Sequence, residues 1–219
     1  MKIILRNNDS FERVFLNEPA VDLHIVQEAG SRVKIHVINL PSKTSPTSSA
    51  SLTRNIITVE QAGEGCQTEI YGLAYVRGED KVETETHVRH SVGGGESKQL
   101  VKFVLADQAQ GAFYGELQIA KDAQKTKTEQ VNRNLLLSRE AQMRTRPQLE
   151  IYADDVQASH GATTGQLDES ALFYMQQRGI SRDAAYRMLV AAFLKDVLDT
   201  LSDERQREEL MDAIDGVVE

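Results

Sequence analysis

A mainly β body followed by a small helical cap is the fold class the sequence predicts, and three observations predict it. Apolar and polar residues alternate in short runs that recur through residues 21–157, the pattern of strands that bury one face. After Gly165 the apolar spacing changes to threes and fours, the pattern of helices. Helix-capping residues then appear in quick succession around those runs, at Asp168, Gly179 and Ser181.

The runs justify themselves in order. In "RVKIHVINL" (Arg32–Leu40), Val33, Ile35 and Val37 fall on one face and Lys34 and His36 on the other. "NIITVEQ", "TEIYGLAYV", "KVETETHVRH", "KQLVKFVLAD", "AFYGELQIA", "TKTEQVNRNLLL" and "QLEIYADDV" follow at intervals of about 12–19 residues. Such spacing suits a β-sandwich. The scarcity of Asn-Gly and Asp-Gly hairpin signals suits a parallel β-helix equally well, so spacing alone leaves both open. "PSKTSPTSSASLT" (41–53) is rich in Ser, Thr and Pro and reads as a flexible loop, with a phosphorylated tail as the competing reading. "GGG" (Gly93–Gly95) reads as a second mobile tip.

In the helical part, Asp168 is placed as an N-cap with Leu167 stapled onto Leu172. Gly179 supplies the left-handed residue that ends this first helix, and Ile180 is placed to touch Met175. Ser181 caps a second helix with the stripe Ala185, Met188, Leu189, Ala192, Phe193, Val197 and Leu201, and a third helix covers 203–215. The domain reading is a β core over 1–165 and a helical domain over 166–219.

Composition removes several function classes. The net charge of −8 opposes binding to nucleic acid or acidic membranes. Six Phe, six Tyr and no Trp leave little for an aromatic stacking platform. A single cysteine, Cys66, excludes an internal disulfide and any multi-cysteine metal centre built from this chain alone. That usage, the short apolar run Ile3–Leu5 at the N-terminus and the lack of a membrane-length apolar segment point to a soluble, cytoplasmic protein.

Candidate chemistry is sparse. His87 and His90 in "HVRH" are three apart, so a strand sends them to opposite faces and makes them a solvated pair rather than a chelate. His24 and His36 read as surface residues, and the neighbours Asp154 and Asp155 as a strand end or turn. No phosphate-binding loop, nucleophile elbow or paired carboxylate motif is present. A self-sufficient active site is therefore not expected. His160, in "SHGATTG" (Ser159–Gly165), stands among small residues with room for a metal or a partner to approach; its other reading is a corner or helix-entry histidine.

Residues 122–185 carry a resemblance. "AQKT" (Ala123–Thr126), "NLLLS" (Asn134–Ser138), "RPQLEIYADDV" (Arg146–Val156), "SHGATTG" and "LFYMQQRGIS" (Leu172–Ser181) stand in the order and spacing of the SufB/SufD family of SUF iron–sulfur cluster assembly. "HGAT" resembles the SufD branch rather than SufB. Weaker similarity extends back through "TETHVRH" and "GAFYGELQIA".

The resemblance implies a right-handed parallel β-helix followed by a small C-terminal helical domain. It implies a non-enzymatic scaffold that pairs with a SufB-like subunit through the β-helix and docks a SufC-like ATPase through the helices, with ATP held only by SufC. Leu172, Phe173, Arg178, Gly179 and Ile180 then lie in the SufC-docking region. His160 becomes a ligand shared across the subunit seam for a transient cluster that the chain does not hold alone, and Cys66 a weaker candidate for cluster or persulfide chemistry. Two departures stand out. Ala158 occupies a position where many SufD sequences carry cysteine, and the chain is about half a usual family member, a fragment or a short paralogue. The competing reading is a β-helix paralogue that only homodimerises and binds no cluster.

Overall fold

The computed structural model describes residues 1–41 and 50–217. Twelve strands come first: β1 (Lys2–Leu5), β2 (Ser10–Leu16), β3 (Ala20–Gln27), β4 (Arg32–Asn39), β5 (Leu52–Gln61), β6 (Gln67–Val76), β7 (Lys81–His90), β8 (Glu96–Leu105), β9 (Gln110–Ile119), β10 (Lys127–Leu136), β11 (Gln142–Ile151) and β12 (Gln157–Gln166). Three helices follow: α1 (Glu169–Gln177), α2 (Arg182–Leu198) and α3 (Glu204–Asp215).

Odd-numbered strands form one six-stranded sheet and even-numbered strands a second, each strand pairing with the one two before it. Every such pair is parallel and in register, as in Ile35↔Ile70 and Ile70↔Gln99. Two sheets built this way are the walls of a β-solenoid, which resolves the sandwich alternative. Short corners make the stacking possible, since a parallel pair in a sandwich would need a long crossover.

Alternation holds wherever one strand face meets solvent. β7 buries Val82, Thr84, Thr86, Val88 and His90 and leaves the residues between them more open. β6 breaks the rule and is buried at nearly every position, because its outer face lies under the helices. There Ile38, Tyr71, Leu73, Tyr75, Val104 and Leu135 pack with Val190, Leu194, Val197, Leu198, Leu210 and Ile214 in one apolar cluster. Full burial of such side chains contributes about 1.5–3 kcal/mol each, which holds the cap on the even-strand sheet.

The helix ends follow the sequence signals. Asp168 accepts a hydrogen bond from the Ser170 amide and Ser181 from the Ala184 amide. Gly179 adopts φ 85°, and the Ile180 amide donates to the Met175 carbonyl at 3.2 Å. The stripe on α2 is the expected one in part: Ala185, Val197 and Leu201 are buried. Met188 is exposed and Phe193 half-buried, whereas Val190, Ala191, Leu194 and Leu198 are buried. This helix is sandwiched between a sheet and its sister helices, so it needs two apolar sides, and a single-stripe reading captures only part of them.

Other local expectations change. Residues 42–49 of the expected loop lie outside the described residues, and Leu52 and Thr53 already belong to β5. Gly93–Gly95 form a stacked corner, not a mobile tip: a Cβ at Gly93 would stand 2.5 Å from the Gln124 carbonyl oxygen. Gly94 takes φ 70° while its amide donates to that same oxygen at 2.9 Å.

His36 is fully buried rather than on the surface, because the cap covers its face of β4. It stacks on Tyr71 with ring centroids 5.0 Å apart, and Nε2 lies 2.8 Å from the Thr200 hydroxyl. His87 and His90 do point apart. His87 reaches Glu116 at 2.9 Å on the outside, but His90 is fully buried and bonds Ser97 at 2.9 Å, so the pair is not a solvated one. Burial pushes both His36 and His90 down to about 4.

The open end of the solenoid

β12 places the "SHGATTG" segment, and its placement differs from a corner or helix entry. It is a full ten-residue strand paired on one side only, with β10. Its inward positions are Ala158, His160, Ala162 and Thr164: Ala158 packs toward Ile119, and Thr164 Oγ1 accepts from Asn134 Nδ2 at 3.2 Å. Gln157, Ser159, Gly161, Thr163 and Gly165 face outward. No further turn covers the described strand, so His160 faces the interior and is still exposed to solvent. β11 pairs only with β9, and the end carries an apolar rim of exposed Ile151 and Tyr152.

Beneath His160 the interior is polar. In-register pairing stacks one column, Ile35–Ile70–Gln99–Gln130–His160, through β4, β6, β8, β10 and β12. Gln99 and Gln130 are fully buried, and Gln130 Nε2 donates to Gln99 Oε1 at a long 3.4 Å. Gln99 Nε2, Gln130 Oε1, Thr86 Oγ1 and Thr145 Oγ1 are buried with no hydrogen-bond partner. Asn132 and Asn134 satisfy each other at 3.0 and 2.8 Å. Each unpaired buried group costs about 1–3 kcal/mol, a cost the earlier turns also carry at Asn55 Oδ1, Gln61 Oε1 and His90 Nδ1.

The outer face of the even-strand sheet carries a ladder of alternating charge, Glu12–Lys34–Glu69–Lys98–Glu129, ending at Ser159. Beside it runs an open groove of about 710 Å³, lined by residues that include Glu96, Lys127, Glu129, Gln157 and Ser159.

The remaining site candidates separate. Cys66 is sealed from solvent, with its thiol 3.2 Å from the carbonyls of Glu28 and Gly63 and 3.8 Å from that of Gln27. It lies in the corner just before β6, three strands from β12 in the sheet, and is not brought to His160. Among the described residues no group of three or more His, Cys, Asp or Glu converges as a metal site. On α1, Leu172 is buried against the cap and presents no docking surface, because it is the helix's inward anchor. Phe173 is 62 % exposed and Tyr174 59 % exposed. Arg178 donates to the Tyr174 hydroxyl at 3.0 Å and lies over its ring. Gly179 and Ile180 form the following turn. The sequence reading missed Gln99 and Gln130. Their signal was the amide or hydroxyl at every second position of "TEQVNRN", but nothing in the sequence fixes which alternate set faces inward.

Comparison with known proteins gives a consistent result. The family described as "SUF system FeS cluster assembly, SufBD core domain" matches residues 20–193. The iron-sulfur cluster assembly protein SufD of Escherichia coli K12 is 35% identical over 161 residues, covering 74% of this chain and 38% of that protein. An iron-sulfur cluster assembly SufBD family protein of Synechocystis is 30% identical over 203 residues, covering 89% of this chain and 45% of its own length. SufD of Bacillus subtilis is 32% identical over 161 residues, covering 74% and 37%. This chain thus spans less than half the length of these relatives. No helix among the described residues is long and apolar enough to cross a membrane.

Proposed function

We propose that this chain, which belongs to the SufB/SufD core family of the SUF system, is a SufD-like scaffold subunit of iron–sulfur cluster assembly. The observation that carries the reading is the placement of His160. It stands at the uncovered end of a parallel solenoid, on a strand with one free edge, where a second subunit can both pair with the strand and bring further ligands. A neutral imidazole is a suitable iron ligand. A single histidine cannot hold a cluster, so the cluster is cargo shared across a seam with a SufB-like subunit.

The helical cap is the docking element for a SufC-like ATPase, through exposed Phe173 and Tyr174 with Arg178 and the Gly179–Ile180 turn. ATP stays on that partner, and this chain positions rather than catalyses. Its working compartment is the cytoplasm. With Ala158 in the inward position before His160, no thiolate from this segment assists. Cys66 has no part, since its thiol is enclosed by backbone carbonyls.

The test is reconstitution. The chain is co-expressed with SufB-like and SufC-like subunits, and the recovered complex is assayed for iron and sulfide. A three-component complex carrying both supports the reading. Recovery of self-associated chain alone, free of iron and of either partner, replaces it with the homodimer reading.

A further inference from the structure

We infer that His36 is a proton-sensitive catch at the seam between the solenoid and the cap. The neutral ring holds the connection between α2 and α3 on the even-strand sheet, and a protonated ring releases it while the solenoid stays folded.

Counting protons fixes the neutral form. His36 is fully buried on β4, stacked on Tyr71 with ring planes 22° apart. The Thr200 hydroxyl donates its one proton to the Val197 carbonyl at 2.6 Å. At its 2.8 Å contact with His36 Nε2 it must therefore accept, so Nε2 carries the ring proton. Nδ1 is then a bare lone pair, buried with no hydrogen-bond partner. A second proton would sit there enclosed and unpaired.

The surrounding groups give that proton little help. Lys34, two residues away on the same strand, donates to the Ser202 hydroxyl at 3.1 Å and stands 3.9 Å from Glu12 on β2. On β6, Tyr71 is neutral and donates to Glu69 at 3.1 Å. The connection itself, residues 199–203, brings the hydroxyls of Thr200 and Ser202 and the buried side chain of Leu201. Burial and then Lys34 oppose a charge on the ring, Glu12 favours it, and the balance holds His36 down to about 4. Protonation sets a second positive charge beside Lys34, under one short connection that carries both the Thr200 and the Ser202 contacts. Lifting that connection exposes the ring and disturbs far less structure than opening a solenoid turn. His90 makes the contrast. It is as deeply buried and also pushed down to about 4, but it lies inside the solenoid between Gln61 of β5 and Ile119 of β9, with Ser97 on its Nε2. Only an opened turn could expose it.

The experiment is amide hydrogen exchange on the ¹⁵N-labelled full chain at pH 7 and pH 4, expressed as protection factors that remove the intrinsic pH dependence of exchange. At the seam the reporters are the Thr200 and Leu201 amides, which donate to the Val197 and Leu198 carbonyls. In the solenoid they are the Ser91 and Ala120 amides, which donate to the Gln61 and His90 carbonyls. A ring held to about 4 when covered and near 6.5 when released predicts that Thr200 and Leu201 lose about 100-fold in protection over this interval. At pH 4 they should exchange far faster than Ser91 and Ala120. His36→Gln keeps an N–H donor for Thr200 but cannot titrate, and should abolish the loss at Thr200 and Leu201. His90→Gln should leave that loss in place. Equal protection of the two sets at pH 4 in the wild type means that the chain opens only as a whole, and overturns the proposal even if His36→Gln does not fold. An undiminished loss at Thr200 and Leu201 in His36→Gln, or its disappearance in His90→Gln, overturns it as well.

Discussion

One column of the solenoid changes character from the early turns to the last. In the early turns Ile35 and Ile70 pack with Val33, Val37, Ile57 and Val59 in an apolar cluster, while polar Gln27, Asn55 and Gln61 are buried elsewhere in the same interior. In the last turns the same column, in the same register, carries Gln99 and Gln130, each with an unpaired atom, and finishes on an exposed histidine, with Phe103, Phe113 and Leu117 buried elsewhere in those turns. The strand geometry does not require the change along the column, and polar groups set where isoleucine packs are the pattern expected where function competes with packing.

The sharpest way to break this contrast is to exchange residues between the ends. Ile70→Gln puts an amide into the apolar half, losing side-chain burial and stranding polar atoms. It should cost about 3 kcal/mol or more in urea denaturation. Gln99→Leu makes the reverse exchange one strand along the same column. It removes an unpartnered donor but also the acceptor of the long 3.4 Å contact from Gln130 Nε2, so it should cost no more than about 1–2 kcal/mol, less than Ile70→Gln. Equal losses from the two variants would mean that the late interior is as tightly committed as the early one.

The histidines extend the comparison. His36 and His90 are enclosed and their imidazoles are held down to about 4, against an ordinary value near 6.5, chiefly by burial. Between those values the unfolded chain takes up protons that the folded chain refuses. Stability should therefore be flat above about pH 6.5, fall as pH drops toward 4, and lose no more from these groups below that. Each contributes at most about 1.4 kcal/mol per pH unit inside the window. Chemical denaturation at stepped pH should show the slope in wild type and a shallower one in His90→Gln. An unchanged slope in that variant would contradict the assignment.

How far the sequence revealed this depends on what each feature needed. Alternation in "KVETETHVRH" and "RVKIHVINL" needed only a half-buried strand, so the β body was legible. Caps at Asp168, Ser181 and Gly179 are local hydrogen-bond chemistry and were equally legible. The choice of solenoid over sandwich needed strand pairing, which spacing does not encode. It came from the resemblance. His36 was misread and the α2 stripe only partly read because both depend on the cap lying on a sheet, a long-range fact. His160 stood out among small residues, but its inward direction and its stacking on Gln130 followed only from register.

A smaller effect separates neighbours on α1. Leu172→Ala should cost about 2–5 kcal/mol, as a buried anchor does. Phe173→Ala, next to it and 62 % exposed, should change monomer stability by no more than about 0.5 kcal/mol and instead weaken capture of the proposed ATPase partner. A large stability loss at Phe173 with unaltered capture would move the docking surface elsewhere.

The central claim is that the uncovered end supplies half of a shared ligand set through His160. The most direct test is the iron and sulfide content of the three-component complex assembled with wild-type or His160→Ala chain, in cells lacking any wild-type copy. The account predicts equal recovery of all subunits with sharply reduced iron and sulfide in the variant. Equal recovery with undiminished iron and sulfide would contradict it.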